Sequence, residues 1–482
     1  MLALALLLAV PVDASPKPDR PNVLLIVTDD QSPLTLDCYG DRTVDTPVLD
    51  ELAESGIVID DARHMGSWSG AVCLPSRTMI MTGRTVWHIP DRPRGKRSDR
   101  PVAVPDPQIT REQAVENSLP EVFNRAGYAT FRTCKTGNSF AAANARFQTV
   151  RDAMRRGPTP ESGSVWHADQ AIEWLDERHA SGDDRPMLVY LGFSHPHDPR
   201  EASPELAAKY GASNAGPQPG LESSQPLPPS WLPEHPFPIG HPDLRDETVV
   251  PGVGTARDKA TVRNELAREA ACIELIDRQI GRVLDRLRQS SELRHTYVVF
   301  ISDHGMAVGR HGLMGKQSLY EHTWRVPLIV SGPGIAAGSR AAGGIYLLDL
   351  LPTLCELAGF DPPGTVEGQS FASVLRGERD RIREVMFGVY CGGTKPGVRA
   401  VKRGRWKLVE WDVLDGSVRR TQLFDLEANP HERLAGHHDG VVPDRQTNLA
   451  NDPRFASVLA EMRSLLIDQM KQHDDPYELN GL

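Results

Sequence analysis

Residues 69–84, SGAVCLPSRTMIMTGR, combine side chains suited to nucleophilic chemistry on an anion. Cys73 directly precedes a Leu-Pro-Ser-Arg turn, and a compact apolar helix follows. Proline at an N1-like position and Gly83 as the stop are typical boundary signals of such a helix. The sequence therefore predicts Cys73 at a helix N-terminus, where free backbone N–H groups favour an anion. Arg77, four residues on, shares the helix face and can bind oxyanion or carboxylate oxygens.

Two pairs of polar residues have the types and positions expected of metal ligands. Asp29 and Asp30 follow one apolar strand pattern, and Asp303 and His304 follow another. Carboxyl ends of strands meet at one edge of an open α/β sheet, so both pairs can converge on one cation if the chain curls there, as Gly305 would help it to do. Three carboxylates suit Ca²⁺ or Mg²⁺, and the imidazole shifts the balance slightly towards a transition metal. Either pair alone could be only a helix cap or a turn.

The strands that would carry these residues are continuous apolar, β-branched runs, as expected in a sheet buried on both faces. They are PNVLLIVTDDQ, YATFRT (128–133), MLVYLGFSH (187–195), YVVFISDHG (297–305) and VPLIVSGPG (326–334). Helical patterns alternate with them at 167–179, 265–288 and 347–360. This alternation predicts an α/β fold, a large and mostly parallel sheet sandwiched by helices.

Two regions depart from that alternation. Residues 199–255 are rich in Pro, Gly and Ser, which predicts a long ordered insertion or a rim loop. After residue 383 the pattern changes to short hairpin-like strands followed by the helix FASVLAEMRSLLIDQMKQH. We therefore expect a catalytic domain at 20–383 and a smaller α+β subdomain at 384–482.

Composition restricts the class of protein. The chain has 482 residues and a net charge of −10, which argues against nucleic-acid binding, and no apolar run is long enough to span a bilayer. Residues 1–19 contain a short apolar tract followed by Val12-Asp13-Ala14. This pattern predicts an export signal and therefore a periplasmic, extracellular or equivalent location. A mis-assigned start or a disordered tail is the alternative. Six cysteines without a CxxC pair exclude a disulfide-dense or zinc-knuckle scaffold.

The segment CLPSRTMIMTGR resembles the signature of type I sulfatases, C-x-P-S-R followed by an apolar helix and T-G-R. PNVLLIVTDDQ, SHPHDP (194–199), ISDHG and HGLMGKQSLYEHTWRVPLIVSGPG are similar to further family segments, over about residues 20–375 and more loosely at 425–432. The metal pair has the Asp-His form of the iduronate-2-sulfatase-like and choline-sulfatase-like branches. The resemblance implies an alkaline-phosphatase-like fold.

The resemblance also implies a mechanism. A formylglycine-generating enzyme would convert Cys73 to Cα-formylglycine, whose hydrate attacks sulfur and later expels sulfate. The implied metal ligands, for Ca²⁺ or another divalent ion such as Mg²⁺, are Asp29, Asp30, residue 73, Asp303 and His304. The implied catalytic residues are Cys73, Arg77, Lys135, His197 and Lys316. In this scheme the lysines and Arg77 neutralise the sulfuryl oxygens, and His197 or Lys316 protonates the leaving alcohol.

One position departs from the family pattern. Many sulfatases have Gly-Lys-x-His where this chain has Cys134-Lys135-Thr136-Gly137, so the histidine that would contact the hydrate is absent. Asn138 could take that role, another histidine could reach in from a loop, or turnover could be impaired. Leucine after Cys73 also differs from the small residue most common there.

Several other residues have a functional and a structural interpretation. Histidines 195, 235, 241, 311 and 322 could contact substrate, but such residues are more often satisfied by packing or loops. Tryptophans 68, 87 and 324 could line a sugar subsite or simply pack. The basic runs at 92–100 and 398–407 could hold anionic groups or close one side of the pocket; a solvated loop and the exposed face of a hairpin are the alternatives.

The sequence favours a sulfuric-ester hydrolase acting on a sulfated carbohydrate, without nucleic acid or a membrane span. A phosphoester or phosphonate monoester hydrolase with the same aldehyde is a second hypothesis. A lapsed enzyme that only binds sulfated glycans is a third, motivated by Gly137. A hydrolase with unmodified Cys73 is the weakest, since the sequence reveals no thiolate–imidazole pair.

Overall fold

The computed structural model describes residues 20–90, 108–155, 157, 163–223, 225–239 and 257–479. The predicted export signal, the basic run at 92–100, His241 and the end of the predicted insertion lie outside these ranges. Within them, no helix is both long enough and apolar enough to cross a membrane.

The described residues form fourteen strands. In chain order they are β1 (Asn22–Asp29), β2 (Ile57–Arg63), β3 (Gly66–Ser67), β4 (Ala129–Thr133), β5 (Thr149–Val150), β6 (Met187–Pro196), β7 (Thr296–Ser302), β8 (Arg325–Val326), β9 (Leu328–Ser331), β10 (Ser339–Tyr346), β11 (Val385–Tyr390), β12 (Gly397–Arg403), β13 (Trp406–Val413) and β14 (Val418–Asp425).

The same residues form twelve α-helices. They are α1 (Pro47–Glu54), α2 (Cys73–Thr82), α3 (Arg111–Glu116), α4 (Leu119–Arg125), α5 (Ala141–Asn144), α6 (Ser164–Ser181), α7 (Pro204–Tyr210), α8 (Lys259–Gln289), α9 (Glu321–Trp324), α10 (Leu350–Leu357), α11 (Ala372–Leu375) and α12 (Ala456–Gln472).

The larger sheet confirms the predicted α/β class. Its order is β10-β2-β9-β7-β1-β6-β4-β5, with β8 paired to β2, and β1 lies between parallel neighbours β6 and β7. The sheet is mostly parallel, but β8 and β9, within the predicted run VPLIVSGPG, are antiparallel to their neighbours. The sequence patterns did not single out β2 and β10, which pair with each other in parallel at the other end of this order.

Strand β1 explains why helices cover both faces of the sheet. Val23, Leu25 and Val27 enter one apolar core, whereas Leu24 and Ile26 enter another, because successive strand side chains point to opposite faces. Helices α1, α6, α7 and α8 pack on the second core, and α2, α4 and α10 pack on the first. Burial on both faces leaves the carboxyl ends of the strands as the place for polar side chains.

The smaller sheet has the order β14-β13-β12-β11-β3, and α12 packs against it. Its last strand, β3, comes from the segment just before Cys73: Val389 pairs with Gly66 and Tyr390 with Ser67. Gly66 has φ 110°, and a Cβ there would lie 1.7 Å from the Val389 carbonyl oxygen, so this pairing requires glycine. The C-terminal subdomain is therefore joined directly to the chain that leads into α2.

Candidate active site

The two predicted metal-binding pairs meet at the carboxyl ends of β1 and β7. Thr28 pairs with Ser302, Asp29 ends β1, and Asp303 follows β7. The Asp30 backbone, at φ 72°, curls out of the strand, and its N–H donates to Asp303 Oδ1 at 3.2 Å. The curl that adjacent strand residues need in order to face one ion is therefore present at Asp30.

Gly305 lets the chain turn after Asp303 and His304 because the neighbouring backbone leaves no space for a side chain. A Cβ at this position would lie 2.1 Å from the His322 carbonyl oxygen, and the Gly305 N–H donates to the Thr323 carbonyl oxygen at 2.9 Å. The chain after His304 thus passes too close to the neighbouring backbone for any larger residue.

Cys73 is the first residue of α2, as expected for an anion site at a helix N-terminus. The N1-like position predicted for the proline is wrong, because the helix begins two residues earlier and Pro75 is its third residue. Proline is tolerated there because the first four N–H groups of a helix have no intrahelical acceptor. Gly83, with φ 65°, ends the helix as predicted.

Four buried side chains bring ligand atoms within 4.8 Å of one another: Asp29, Cys73, Asp303 and His304. The His304 Nε2 atom lies 3.2 Å from Asp30 Oδ1 and 3.5 Å from Asp303 Oδ1. Its Nδ1 atom lies 3.1 Å from the Gly305 carbonyl oxygen, a partner that fixes the ring and leaves Nε2 facing the carboxylates.

This arrangement fits a divalent cation. Asp30 Oδ2 is buried and makes no hydrogen bond to any residue in the described ranges, which is costly unless another ligand contacts it. The pKa of Asp30 is about 2, because the positive charges of His197, Lys316 and His304 outweigh burial. Asp303, Cys73 and Asp30 likewise outweigh burial to raise the pKa of His304 to about 9, so a positive charge is favoured here. Ionised carboxylates are the ligands that Ca²⁺ and Mg²⁺ prefer.

Two buried lysines complete the cationic side of the site. Lys316 Nζ lies 2.9 Å from Asp30 Oδ1 and 3.3 Å from Cys73 Sγ. Lys135 Nζ forms an ion pair with Asp29 Oδ2. Both side chains are 1% exposed, so their charges act across a region of low dielectric constant.

The environment of Cys73 differs from that of the other buried thiols. Burial raises the pKa of a thiol to about 12 in three of them: Cys272, Cys355 and Cys391. Cys73 is equally buried, but the charges of Lys135 and Lys316 outweigh burial and lower its pKa to about 6. This contrast identifies position 73 as a place where negative charge is stabilised. No disulfide forms among the six cysteines, all of which are described.

Arg77 lies behind the carboxylates. Its Nε donates to Asp303 Oδ2 at 2.8 Å, and its Nη2 is 3.7 Å from Asp29 Oδ1. Its third contact, from Nη1 to Cys134 Sγ at 3.0 Å, was not anticipated. Of the two roles open to Arg77 from the sequence, these contacts correspond to binding carboxylate oxygens.

His197 follows β6 and reaches the same carboxylates. Its Nε2 is 3.8 Å from Asp30 Oδ2, and its Nδ1 is 2.8 Å from Asp198 Oδ1. Burial lowers the pKa of His197, but Asp30 outweighs it and raises the pKa to about 10. The side chain is 12% exposed, more than those of Lys135 and Lys316, so it lies on the open side of the site.

The histidine missing at Gly137 has no counterpart on the same turn. Gly137 and Asn138 are exposed. The imidazole that contacts the Cys73 sulfur is His304, whose Nε2 is 3.1 Å away. This thiol–imidazole contact was not visible in the sequence, because the two residues are 231 positions apart.

The remaining aromatic and histidine candidates mostly pack. Trp68, Trp87 and Trp324 are buried, as are His195, His311 and His322. His235 is half-buried, and its Nε2 is 3.1 Å from the Tyr320 hydroxyl. The second basic run also has internal partners, since Lys402 pairs with Asp61 and Lys407 with Glu321. Packing therefore describes the tryptophans and these histidines, whereas the expected exposed hairpin face is wrong for Lys407 and Arg399, which are buried.

Sequence reasoning did not single out three residues near the site: Cys134, Tyr190 and Gly192. Tyr190 OH lies 3.4 Å from Arg77 Nη1, and a Cβ at Gly192 would lie 2.3 Å from Cys134 Sγ. The only available signal was cysteine in place of glycine before Lys135.

Comparison with known proteins agrees with this geometry. Residues 21–360 match the family model described as sulfatase, and residues 309–472 match the model described as N-sulphoglucosamine sulphohydrolase, C-terminal. The Delta 4,5-hexuronate-2-O-sulfatase of Bacteroides thetaiotaomicron is 25% identical, over 95% of this chain and 90% of its own. Human iduronate 2-sulfatase is 26% identical, over 73% of this chain and 72% of its own.

A solved structure of a 2-O GAG sulfatase superposes with a TM-score of 0.67 at 23% identity, covering 95% of this chain and 94% of that one. That likeness establishes the alkaline-phosphatase-like fold, and the family match extends over more than half of the chain. With Cys73 and the candidate metal ligands Asp303 and His304 meeting at one sheet edge, the chain belongs to the sulfatase family and is a sulfuric-ester hydrolase.

Proposed function

We propose that the protein removes sulfate from a sulfated carbohydrate, with residue 73 as the nucleophile after conversion of Cys73 to Cα-formylglycine. The observation that carries the proposal is the position of Cys73 Sγ at the start of α2, 3.3 Å from Lys316 Nζ and 3.1 Å from His304 Nε2. An oxygen nucleophile at this place would be surrounded by cationic groups and N–H donors suited to a tetrahedral anion.

Two groups that the chain does not itself encode supply part of this chemistry. When present, a divalent cation held by Asp29, Asp30, Asp303 and His304 supplies positive charge for a sulfate oxygen, and a formylglycine hydrate supplies the attacking hydroxyl. We propose Ca²⁺ first and Mg²⁺ second, since three of the four proposed ligands, Asp29, Asp30 and Asp303, are carboxylates.

The chain's own residues bind and orient the sulfate. Lys135 and Lys316, each 1% exposed, neutralise charge on its oxygens. Arg77 holds Asp303 in place through the 2.8 Å bond from Nε to Oδ2. His197, on the open side of the site and with a pKa raised to about 10, donates a proton to the leaving alcohol.

The class of substrate is supported by the relatives, two of which are named for 2-O-sulfated uronic acids. We therefore expect activity first on oligosaccharides bearing a 2-O-sulfated uronate. We further propose that a formylglycine-generating enzyme modifies Cys73 and that residues 1–19 direct export.

Two measurements test this function. Mass spectrometry of the tryptic peptide containing residue 73 should show a loss of about 18 Da, the conversion of a thiol to an aldehyde. Sulfate release from 2-O-sulfated uronate oligosaccharides should then exceed phosphate release from an aryl phosphate. The Cys272→Ala variant, which changes a buried cysteine on α8, serves as the matched control and should keep full activity.

Each outcome has a clear meaning. An unmodified thiol in protein from a competent host, together with no sulfate release, would overturn the proposal. Faster turnover of phosphate or phosphonate esters than of sulfate esters would move the protein to the second hypothesis. Binding of sulfated oligosaccharides without release of sulfate would favour the lapsed enzyme.

A further inference from the structure

Cys134 occupies a place in the site that the metal and sulfate ligands do not account for. It directly follows β4 and directly precedes Lys135, and its side chain is fully buried. Arg77 Nη1 donates to its sulfur at 3.0 Å, and Tyr190 OH lies 3.4 Å from the same nitrogen. The sulfur is therefore an acceptor for the part of the Arg77 guanidinium that does not face a carboxylate.

The neighbouring strand β6 leaves room for this sulfur by having glycine at position 192. A Cβ built on Gly192 would lie 2.3 Å from Cys134 Sγ and 2.8 Å from Cys134 Cβ. Gly192 does not have a positive φ, unlike many other glycines in the described residues. The close approach of Cys134, and not the backbone conformation, therefore requires glycine at this position. Positions 134 and 192 are thus matched in size.

The other edge of the guanidinium holds two carboxylates of the metal centre. Arg77 Nε donates to Asp303 Oδ2 at 2.8 Å, and Nη2 lies 3.7 Å from Asp29 Oδ1. Since a guanidinium is planar and rigid, fixing one nitrogen constrains the directions of the others. Cys134 can therefore influence the carboxylates of Asp29 and Asp303 without touching them.

The opposite face of β4 is held separately. Thr133 Oγ1 lies 2.9 Å from His167 Nδ1, and His167 Nε2 lies 3.2 Å from Ser194 Oγ on β6. This contact joins the ends of the two strands that lead to Lys135 and His197. Because it already anchors β4, loss of the Cys134 sulfur need not displace the strand itself.

We propose that Cys134 is a positioning residue: its sulfur, seated in the space left by Gly192, orients Arg77 and through Arg77 the metal-binding carboxylates of Asp29 and Asp303. The inference rests on the proposed function in so far as it assigns a divalent cation to these carboxylates. Partners that orient metal ligands in this way typically change metal affinity or activity by about 10- to 100-fold when they are removed.

The test compares calcium affinity in four variants of the full chain, measured by titration calorimetry after chelation. In Cys134→Ala the affinity should fall by about tenfold, whereas Cys134→Ser, which keeps an acceptor for Arg77, should stay within about threefold of the parent. Cys355→Ala is the matched control, since this buried cysteine lies in α10 and contributes only to the core. It should lower the melting temperature without changing calcium affinity.

Gly192→Ala and the fourth calcium-binding variant, which combines Gly192→Ala with Cys134→Gly, guard against loss of folding. Gly192→Ala alone should strongly lower the melting temperature, and adding Cys134→Gly should restore part of it, because the clash with the sulfur is removed. The restored double variant should still bind calcium about tenfold more weakly than the parent, since Arg77 has lost its third contact.

Equal calcium affinities in Cys134→Ala and Cys355→Ala would overturn the inference, as would a parent protein that binds no Ca²⁺, Mg²⁺ or Mn²⁺. Calcium affinity is measured without substrate, so failure of the proposed hydrolysis can be distinguished from failure of this inference. A parent that releases no sulfate but whose calcium affinity depends on Cys134 would retain the inference and lose the function.

Discussion

Among the buried clusters of ionised side chains in the described residues, two are built differently. The interdomain cluster consists of Arg63, Glu321, Lys407 and Glu432, on both sides of the junction between the catalytic domain and the C-terminal sheet. The catalytic cluster consists of Asp29, Asp30, Asp303, Arg77, Lys135 and Lys316 at the ends of β1 and β7.

The interdomain cluster uses its carboxylates for bonds within the protein. Arg63 binds both oxygens of Glu321, at 2.9 and 2.8 Å, and stacks 4.2 Å from the Trp324 ring. Lys407 joins Glu321 at 2.9 Å to Glu432 at 2.7 Å. Because these contacts occupy the carboxylate oxygens, they leave little room for a ligand, as is typical of a structural ion-pair network.

The catalytic cluster instead directs ligand atoms at one another. Asp30 Oδ2 makes no hydrogen bond within the described part of the chain, and Asp29, Asp303, His304 and Cys73 approach within 4.8 Å. Both clusters are buried and contain both signs of charge, and convergence of ligand atoms distinguishes them.

Replacing Cys73 by alanine should lower kcat/KM by about 10⁴-fold or more, because the nucleophile is lost. The melting temperature should change by only a few degrees, since the side chain is small. Steady-state kinetics and calorimetry measure both quantities. Retention of more than a tenth of the activity would show that another residue is the nucleophile.

Lys407→Met should lower the free energy of unfolding by about 3–5 kcal/mol, because it leaves Glu432 with uncompensated buried charge, whereas Glu321 keeps its contacts with Arg63. Urea denaturation measures the loss, and kcat of the folded fraction should be unchanged. Lys402→Met is the control: its partner Asp61 also pairs with Arg63, so no carboxylate loses its only cation and the loss should be clearly smaller. Similar losses in both variants would contradict the assignment of the interdomain cluster.

Chelation should abolish activity and lower the melting temperature, and added Ca²⁺ should restore both. At a hundredfold excess over Kd the bound ion should contribute about 2.7 kcal/mol of stability. Asp30→Asn should remove this calcium-dependent shift, whereas Asp61→Asn should lower the melting temperature without removing it. A calcium shift that persists in Asp30→Asn would place the ion elsewhere.

A further difference concerns pH and the junction of the two domains. Burial lowers the pKa of His235 from 6.5 to about 4, and its Nδ1 lies 2.7 Å from the Phe237 carbonyl oxygen. As pH falls, the unfolded chain protonates His235 at a higher pH than the folded chain does. The contribution of neutral His235 to the free energy of unfolding is therefore fully present above pH 6.5 and falls by about 1.4 kcal/mol per pH unit between pH 6.5 and 4.

His235→Gln should make the free energy of unfolding depend less steeply on pH between pH 6.5 and 4. The slope should fall by the one proton that His235 binds on unfolding. Urea denaturation at pH 7 and pH 5 measures the slope in the parent and in the variant. Equal slopes would show that His235 does not titrate between these values.

Much of this architecture could be predicted because it depends on local pattern. The apolar run at Val23–Val27 can be buried only in a strand covered on both faces, and the spacing of Ile273, Ile276 and Ile280 fits one helix face. The antiparallel β9 and the pair β2–β10 were not predicted, because strand direction and partner depend on contacts distant in the chain.

Residue types and local order indicate which side chains could form the site: a cysteine before Leu-Pro-Ser-Arg, an Asp-Asp and an Asp-His pair after strands, and two lysines. These residue types limit the possible chemistry. Tertiary packing was needed to show that Arg77 binds carboxylates, that His304 contacts Cys73, and that Cys134 fits against Gly192. The contacts of Arg77 with Asp303 and of His304 with Cys73 join residues 226 and 231 positions apart, and such contacts are set by packing, which no local pattern encodes.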